Sequence, residues 1–282
     1  MEIGIGLPST VPDTPGSELP IWAREAEEAD FKSLGIIDRL VYPNPDPLIT
    51  LAAAAAVTRH IRLTTSILVA PLRLTADLAK QAASIADISG GRLVLGLGVG
   101  AREDDYTAVE RPFHRRGRLM DAQMQEMRRL WQGGEINGVG PIGPTPPGGH
   151  IPLLVGGYSD AMVRRAVNWG DGYIFGSGGL TAGLPAFRKV AEAWRDAGRD
   201  GRPRFVGCTY FAIGEQAAQQ TANALRSYYG PRAEGLIANS PLTAEAVRQT
   251  VADFAAAGVD EMILWPGSND RHQITLLADL VL

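Results

Sequence analysis

The positions of this sequence best placed to do chemistry are glycines. Leu93 to Asp105 reads L-V-L-G-L-G-V-G-A-R-E-D-D, an apolar run that ends in Gly96, Gly98 and Gly100 and is followed at once by charge. Glycine at alternate strand positions strips side chains from one face, so a flat or bulky group can approach the backbone there. Two further strand-like runs end the same way, at Gly156-Gly157 and at Gly176-Ser177-Gly178-Gly179. Glycine-rich turns ahead of a helix present open backbone N–H groups, and the helix dipole adds a field that favours an anion. The adjacent pair, after the fifth and sixth strands, is suited to cradling one phosphate.

Conventional catalytic apparatus is missing. The histidines, His60, His114, His150 and His272, all fall away from the expected strand ends. There is no H-E-x-x-H, no Cys-x-x-Cys and no carboxylate–histidine cluster, so no metal site is expected. A nucleophile elbow and a P-loop are also absent. A lyase working without a redox cofactor would want a buried lysine or a metal cluster at a strand end, and neither is visible. Cys208, the single cysteine, lies inside an apolar run and reads as a packed small hydrophobe. Gly96-Leu-Gly98-Val-Gly100-Ala101 does satisfy the Rossmann spacing. That fingerprint belongs to an early βαβ unit with an acid at a later strand end. Here it sits on the fourth strand, and the acid at suitable distance, Asp121, falls in mid-helix. Phosphate-ready turns with few acid–base groups imply that a cofactor carries the chemistry.

The elements that must position these turns alternate along the chain. Apolar strand-like runs cover Ile3–Leu7, Leu34–Ile37, Ile61–Val69, Leu93–Gly98, Ile151–Val155, Gly172–Phe175, Arg204–Ile213 and Val259–Leu264. Helical patterns separate them. Ser17, Asp46 (followed by Pro47), Thr75 and Ser159 or Asp160 are placed to cap helices, and Gly90-Gly91 to stop one. Residues 133–149, rich in Gly and Pro, read as an irregular loop, and helices are expected over 184–197, 215–229 and 243–257. Eight such units without tandem hairpins argue for a parallel sheet, and a closed (β/α)8 TIM barrel in one domain, 1–282, is the simplest solution. An open doubly wound sheet is the alternative. In a barrel the site lies at the carboxyl ends of the strands, here Asp38, Ser66 to Val69, Gly98 to Asp104, Gly156 to Tyr158, Gly176 to Gly179 and Trp265 to Ser268.

Composition sets the remaining bounds. The 282 residues are 45% apolar and 21% charged, enough for a large core. A net charge of −4 without a basic stripe argues against a nucleic-acid partner. No apolar run reaches the length of a membrane span. One cysteine and an N-terminus without a basic leader fit a cytoplasmic protein.

The ordered set of motifs resembles the bacterial luciferase-like superfamily, whose members use FMN or the deazaflavin coenzyme F420. The resemblance rests on S-G-G-R-L-V-L-G-L-G-V-G-A-R-E-D-D-Y, then F-H-R-R-G-R-L-M-D-A, with I-R-L-T-T-S-I-L-V-A-P at 61–71, I-P-L-L-V-G-G at 151–157, G-D-G-Y-I at 170–174 and A-A-G-V-D-E-M-I-L at 256–264. It implies a luciferase-like barrel, a homodimer and a small-molecule substrate. It also implies that Ser66 and Ile67 form a bulge, often with a cis peptide, that supports the cofactor ring. Val69, Gly98, Val99 and Gly100 would lie near the ring, and Gly156, Gly157, Tyr158, Phe175, Gly176, Ser177 and Gly178 would bind the phosphate end. Asp38 matches an acidic position close to the ring and is the candidate catalytic residue.

Three departures from deazaflavin relatives stand out: Arg39 replaces a histidine after the acid, Ala101 replaces an acid, and Gly179 replaces a lysine. The expectation is therefore an oxidoreductase that transfers hydride between F420 and a small organic substrate, a choice favoured by Asp38 and the third strand. A reduced-FMN monooxygenase using O2 and a non-catalytic flavin-binding barrel are the alternatives.

Overall fold

The strand count translates into a closed ring. The computed structural model describes residues 1–176 and 179–282. Its strands are β1 (Glu2–Gly6), β2 (Ser33–Ile36), β3 (Arg62–Val69), β4 (Leu93–Gly98), β5 (Leu153–Gly156), β6 (Gly172–Phe175), β7 (Arg204–Phe211) and β8 (Glu261–Pro266). Each pairs in parallel with its neighbours, and β8 returns to β1 through Ile3 opposite Met262. The open-sheet alternative is thereby excluded. Helices fill the connections and bury their apolar stripes against the outer face of the ring, as Leu19, Trp22, Ala23 and Ala26 do from the helix Glu18–Glu28.

Helix starts follow local chemistry where the cap is real. Asp46 accepts from the N–H groups of Leu48 and Ile49 at 2.8 and 3.1 Å, with Pro47 pre-set in the first turn. Ser159 accepts from Met162 N, and Thr243 from Ala246 N. Ser17 and Thr75 do not cap. The N–H groups of Glu18 and Leu19 are taken instead by the carbonyls of Pro15 and Gly16, and Leu74 holds the cap position before Thr75. The helix expected from Leu184 begins at Gly179 and runs to Asp196 through Pro185, while a six-residue helix, Ala233–Ala238, was not expected at all.

The inside of the ring explains the glycines. An eight-stranded barrel leaves an interior that side chains just fill, so large residues need small ones opposite. A Cβ at Gly6 would collide with the ring of Trp265, and one at Gly35 would meet Ile263 and Ser66. On the other side, a Cβ at Gly98 would collide with Cδ1 of Ile67, and one at Gly156 would come within 3.0 Å of Ile67 Cγ2. A Cβ at Gly96 would strike the carbonyl oxygen of Thr65. The room left by Gly96 and Gly98 is therefore filled by strand β3 itself and not by a ligand on β4, which corrects the sequence-based expectation. At the amino ends, Arg62 and Arg204 each bridge Glu2 and the buried Glu261, and Ser33 Oγ donates to Glu261. This plug seals the end of the barrel remote from the expected site.

Candidate active site

A cavity of about 560 Å³ opens at the carboxyl ends of the strands. Its deep wall is formed by side chains whose placement follows from the packing above. Ile67 projects into it because the β3–β4 register shifts between Thr65 and Leu68, where the Ser66–Ile67 peptide is cis. Ser66 Oγ bonds Ile36 O at 3.4 Å and accepts from Trp265 Nε1 at 3.3 Å, joining β2, β3 and β8 beneath the cavity. Cys208, fully buried, lines the floor with its thiol pushed well above its usual pKa by burial. It is an inert packing residue there.

Asp38 sits on the wall with both carboxylate oxygens engaged. Oδ2 accepts from Val69 N at 2.8 Å and from Arg73 Nη1 at 2.7 Å, and Oδ1 accepts from Arg73 Nη2 at 3.1 Å. Arg73 also reaches Asp46 Oδ2 at 3.0 Å. Burial raises the Asp38 pKa above the usual carboxylate value, opposed by the Arg73 fork and the Val69 N–H. The fork ties the end of β2 to the end of β3, so Asp38 is held as a fixed post.

The cofactor-binding candidates Ser66, Ile67, Val69, Val99, Gly100, Gly156, Gly157, Tyr158, Phe175 and Gly176 line this one cavity together with Asp38. Gly98 does not line it, because Ile67 covers it. Ser177 and Gly178 lie outside the described residues. Gly157, at φ +130°, turns the chain from β5 toward the Ser159-capped helix Asp160–Trp169, and its carbonyl accepts from Tyr173 Oη at 3.0 Å. A Cβ on Gly176 would meet nothing closer than Trp265 at 3.9 Å, so the backbone there is open. Two helix amino ends thus flank one side of the cavity, a field suited to a phosphate.

A further part of the rim is closed by residues that sequence reading did not single out. Between β7 and β8 the helix Ala217–Tyr229 ends above the barrel mouth, and Tyr228, Tyr229, Arg232 and Leu236 line the cavity. The last-turn carbonyl of Tyr228 accepts from Arg39 Nη1 at 3.0 Å and from Arg102 Nη2 at 2.7 Å. Such carbonyls have no partner within their own helix, and cations there are favoured. Arg39 also pairs with Asp104 at 3.0 Å. The arginine that stands where relatives have histidine is thus part of a clasp. Tyr228 Oη donates to Asp38 O at 3.3 Å, and its pKa is raised by burial, so the hydroxyl stays a neutral donor. Tyr210 Oη and Tyr229 Oη lie 3.0 Å apart behind it.

Asp105 also went unnoticed in the sequence. It is buried on the first turn of the helix Glu103–Ala108, lines the cavity and accepts from Val41 N at 2.7 Å. Of its neighbours, Arg102 lines the cavity, whereas Glu103 is exposed and Asp104 is spent on Arg39. Among the described residues no cluster of His, Cys, Asp and Glu is placed to hold a metal ion, and no helix is long and apolar enough to cross a membrane.

A sequence profile of the luciferase-like monooxygenases matches residues 1–278. The chain belongs to that family. An uncharacterised protein of Mycobacterium tuberculosis is 34% identical over 185 residues, covering 55% of this chain and 64% of its own. The match thus spans under two thirds of the length of that curated relative. Among solved structures, a monooxygenase from Streptomyces bottropensis superposes with a TM-score of 0.85 at 23% identity, covering 100% of this chain and 98% of the other. An F420-dependent secondary alcohol dehydrogenase, in complex with an F420–acetone adduct, gives 0.83 at 16% identity with 100% and 98% coverage. At these identities the superpositions establish the luciferase-like barrel.

Proposed function

We propose that this protein is an oxidoreductase that holds F420 or FMN in the cavity above Ile67 and transfers hydride between F420 and a small organic substrate. The observation that carries the reading is the joining of two features in one cavity: an apolar platform of Ile67 and Trp265, and glycine turns at two helix amino ends. A volume of about 560 Å³ falls within the ~300–1,000 Å³ range of cofactor sites. The residues present fit a tricycle with a phosphorylated side chain. Ile67, Val69 and Val99 would hold the ring, and Gly156, Gly157 and Gly176 the phosphate.

When bound, F420 supplies a carbon that accepts or gives hydride, and reduced FMN supplies a ring that activates oxygen. The chain's own part is to bind, orient and exclude water. Asp38, fixed by Arg73, orients the ring edge as the candidate catalytic residue. The Tyr228 strap keeps the mouth dry, which strengthens every polar contact inside. The fold shared with a monooxygenase favours FMN with O2 as the second reading.

Exposed apolar residues on the first turns after β2 and β3 favour a homodimer. Ile49 and Leu74, 73% and 62% exposed, flank a groove with Leu40 and Leu72. A cytoplasmic location accords with the single reduced cysteine. Titration of the purified protein with F420 and with FMN, read by absorbance and fluorescence, tests the assignment. Saturable binding of F420 in preference to FMN is expected, and failure to bind either refutes the oxidoreductase reading.

A further inference from the structure

One arginine at the cavity rim has no charge partner among the described residues. Asp38 is neutralised by Arg73 from outside the cavity. Asp105 is bound by a backbone N–H and makes no ion pair among the described residues. Two guanidinium groups line the same cavity, and that of Arg102 also faces Asp104. Arg102 spends one N–H on the Tyr228 carbonyl, and its guanidinium lies 5.1 Å from the Tyr228 ring centre and 5.8 Å from that of Tyr229. Arg232 ends the turn Gly230–Arg232 at the cavity rim, is exposed, and has no hydrogen-bond or ion-pair partner among the described residues.

Both arginines belong to the strap side, from the β4 end and the β7–β8 connection. The glycine turns suited to a phosphate lie at the ends of β5 and β6, which stand between β4 and β7 in the barrel. Arg232 shares the lining with the apolar and aromatic side chains of Tyr228, Tyr229 and Leu236. A lone guanidinium over an apolar wall recognises a planar anion carried on an apolar body, since its fork matches a carboxylate with two parallel hydrogen bonds.

We propose that the substrate is an apolar carboxylate, its anion taken by Arg232 at the rim of the cavity that Arg102 also lines and its body lodged against Tyr228, Tyr229 and Leu236. This rests on the oxidoreductase reading for the word substrate, but the anion site itself does not require a cofactor. An acidic tail on the cofactor offers the same chemistry, and the test separates the two sources.

The experiment is isothermal titration of the full chain with 2-naphthoate and with 2-naphthamide, each with and without F420 or FMN. Wild-type protein is expected to bind the naphthoate about tenfold more tightly than the amide, the size of one charge-assisted pair. Arg232→Gln is expected to reduce that ratio to within about twofold, and Arg232→Lys to restore part of it, while cofactor affinity stays unchanged. Equal binding of the two probes, no binding of the naphthoate at millimolar concentration, or an unchanged ratio in Arg232→Gln overturns the proposal. A loss of cofactor affinity in Arg232→Gln with the ratio intact also overturns it, by assigning the arginine to the cofactor. Naphthoate selectivity without any cofactor binding would keep the anion site and refute the oxidoreductase reading instead.

Discussion

Replacing Gly98 by alanine tests whether the inward glycines exist to seat Ile67. Gly98 does not have a positive φ, so the backbone tolerates alanine and only the space is at issue. The new Cβ would collide with Cδ1 of Ile67 and stand 3.4 Å from Cγ1. Overfilling a packed interior by one methyl group costs about 1–3 kcal/mol. Ile67→Val removes the colliding Cδ1 and alone costs about 0.5–1.5 kcal/mol. The double variant should therefore be more stable than Gly98→Ala alone, with a favourable coupling of roughly 1 kcal/mol or more between the two sites. Gly235→Ala serves as the control, because its Cβ meets nothing within 4 Å and it lies within the helix Ala233–Ala238. There the change should be neutral or stabilising by up to about 1 kcal/mol. Urea unfolding followed by far-ultraviolet circular dichroism measures the wild type and all four variants. If the two single costs simply add, or if Gly98→Ala costs no more than the control, the seating argument is wrong.

Arg73→Met removes the cation that pairs with Asp38, whose side chain is 2% exposed. Breaking one half of a buried pair costs about 3–5 kcal/mol, and Asp38→Asn added to it should recover part of the loss in a thermal melt. Glu27 is raised by burial but held below 4.5 overall by the backbone N–H groups of His60, Ile61 and Arg59. Since its folded pKa is depressed, its contribution is present above the unfolded value and disappears as pH falls through the folded one. Glu27→Gln should therefore cost about 1 kcal/mol near neutral pH, and its unfolding curve should converge with that of the wild type in acid below pH 4.5. Leu74→Asp places a charge on the exposed apolar groove and should shift the sedimentation coefficient from dimer to monomer with the circular dichroism unchanged. A wild-type protein that sediments as a monomer would remove the dimer assignment.

What the sequence disclosed was decided by neighbours along the chain. The Asp46-Pro47 start, and the stop at Gly90 and Gly91 with their positive φ, depend on residues within one turn. The apolar runs became strands in the expected order for the same reason. The glycine-rich ends were legible as features, but their partner was not. Whether the space over Gly98 holds a ligand or Ile67 is set by β3, whose register shift has no signature in β4. Arg39 read as a departure from relatives because its acceptor, the Tyr228 carbonyl, lies 189 residues away. Arg232 stood in a Gly-Pro-Arg stretch with no periodic pattern, and only the fold brings it to the cavity rim.

These long-range contacts also decide where a proton can come from. Asp38 has both oxygens occupied, and Arg39 is committed to Tyr228 and Asp104, so the end of β2 supplies orientation and no mobile proton. Tyr228 and Tyr210 are pushed upward by burial and remain protonated near neutrality, where each can donate a hydrogen bond but cannot serve as a base. Cys208 is held neutral for the same reason. Asp105 is then the cavity carboxylate left without a cation among the described residues, one turn of chain from Arg102 and bonded to Val41 N. A barrel arranged this way spends its charged groups on tying its strand ends and the rim to one another, which is the division of labour expected when a bound cofactor, and not the polypeptide, provides the reactive atoms.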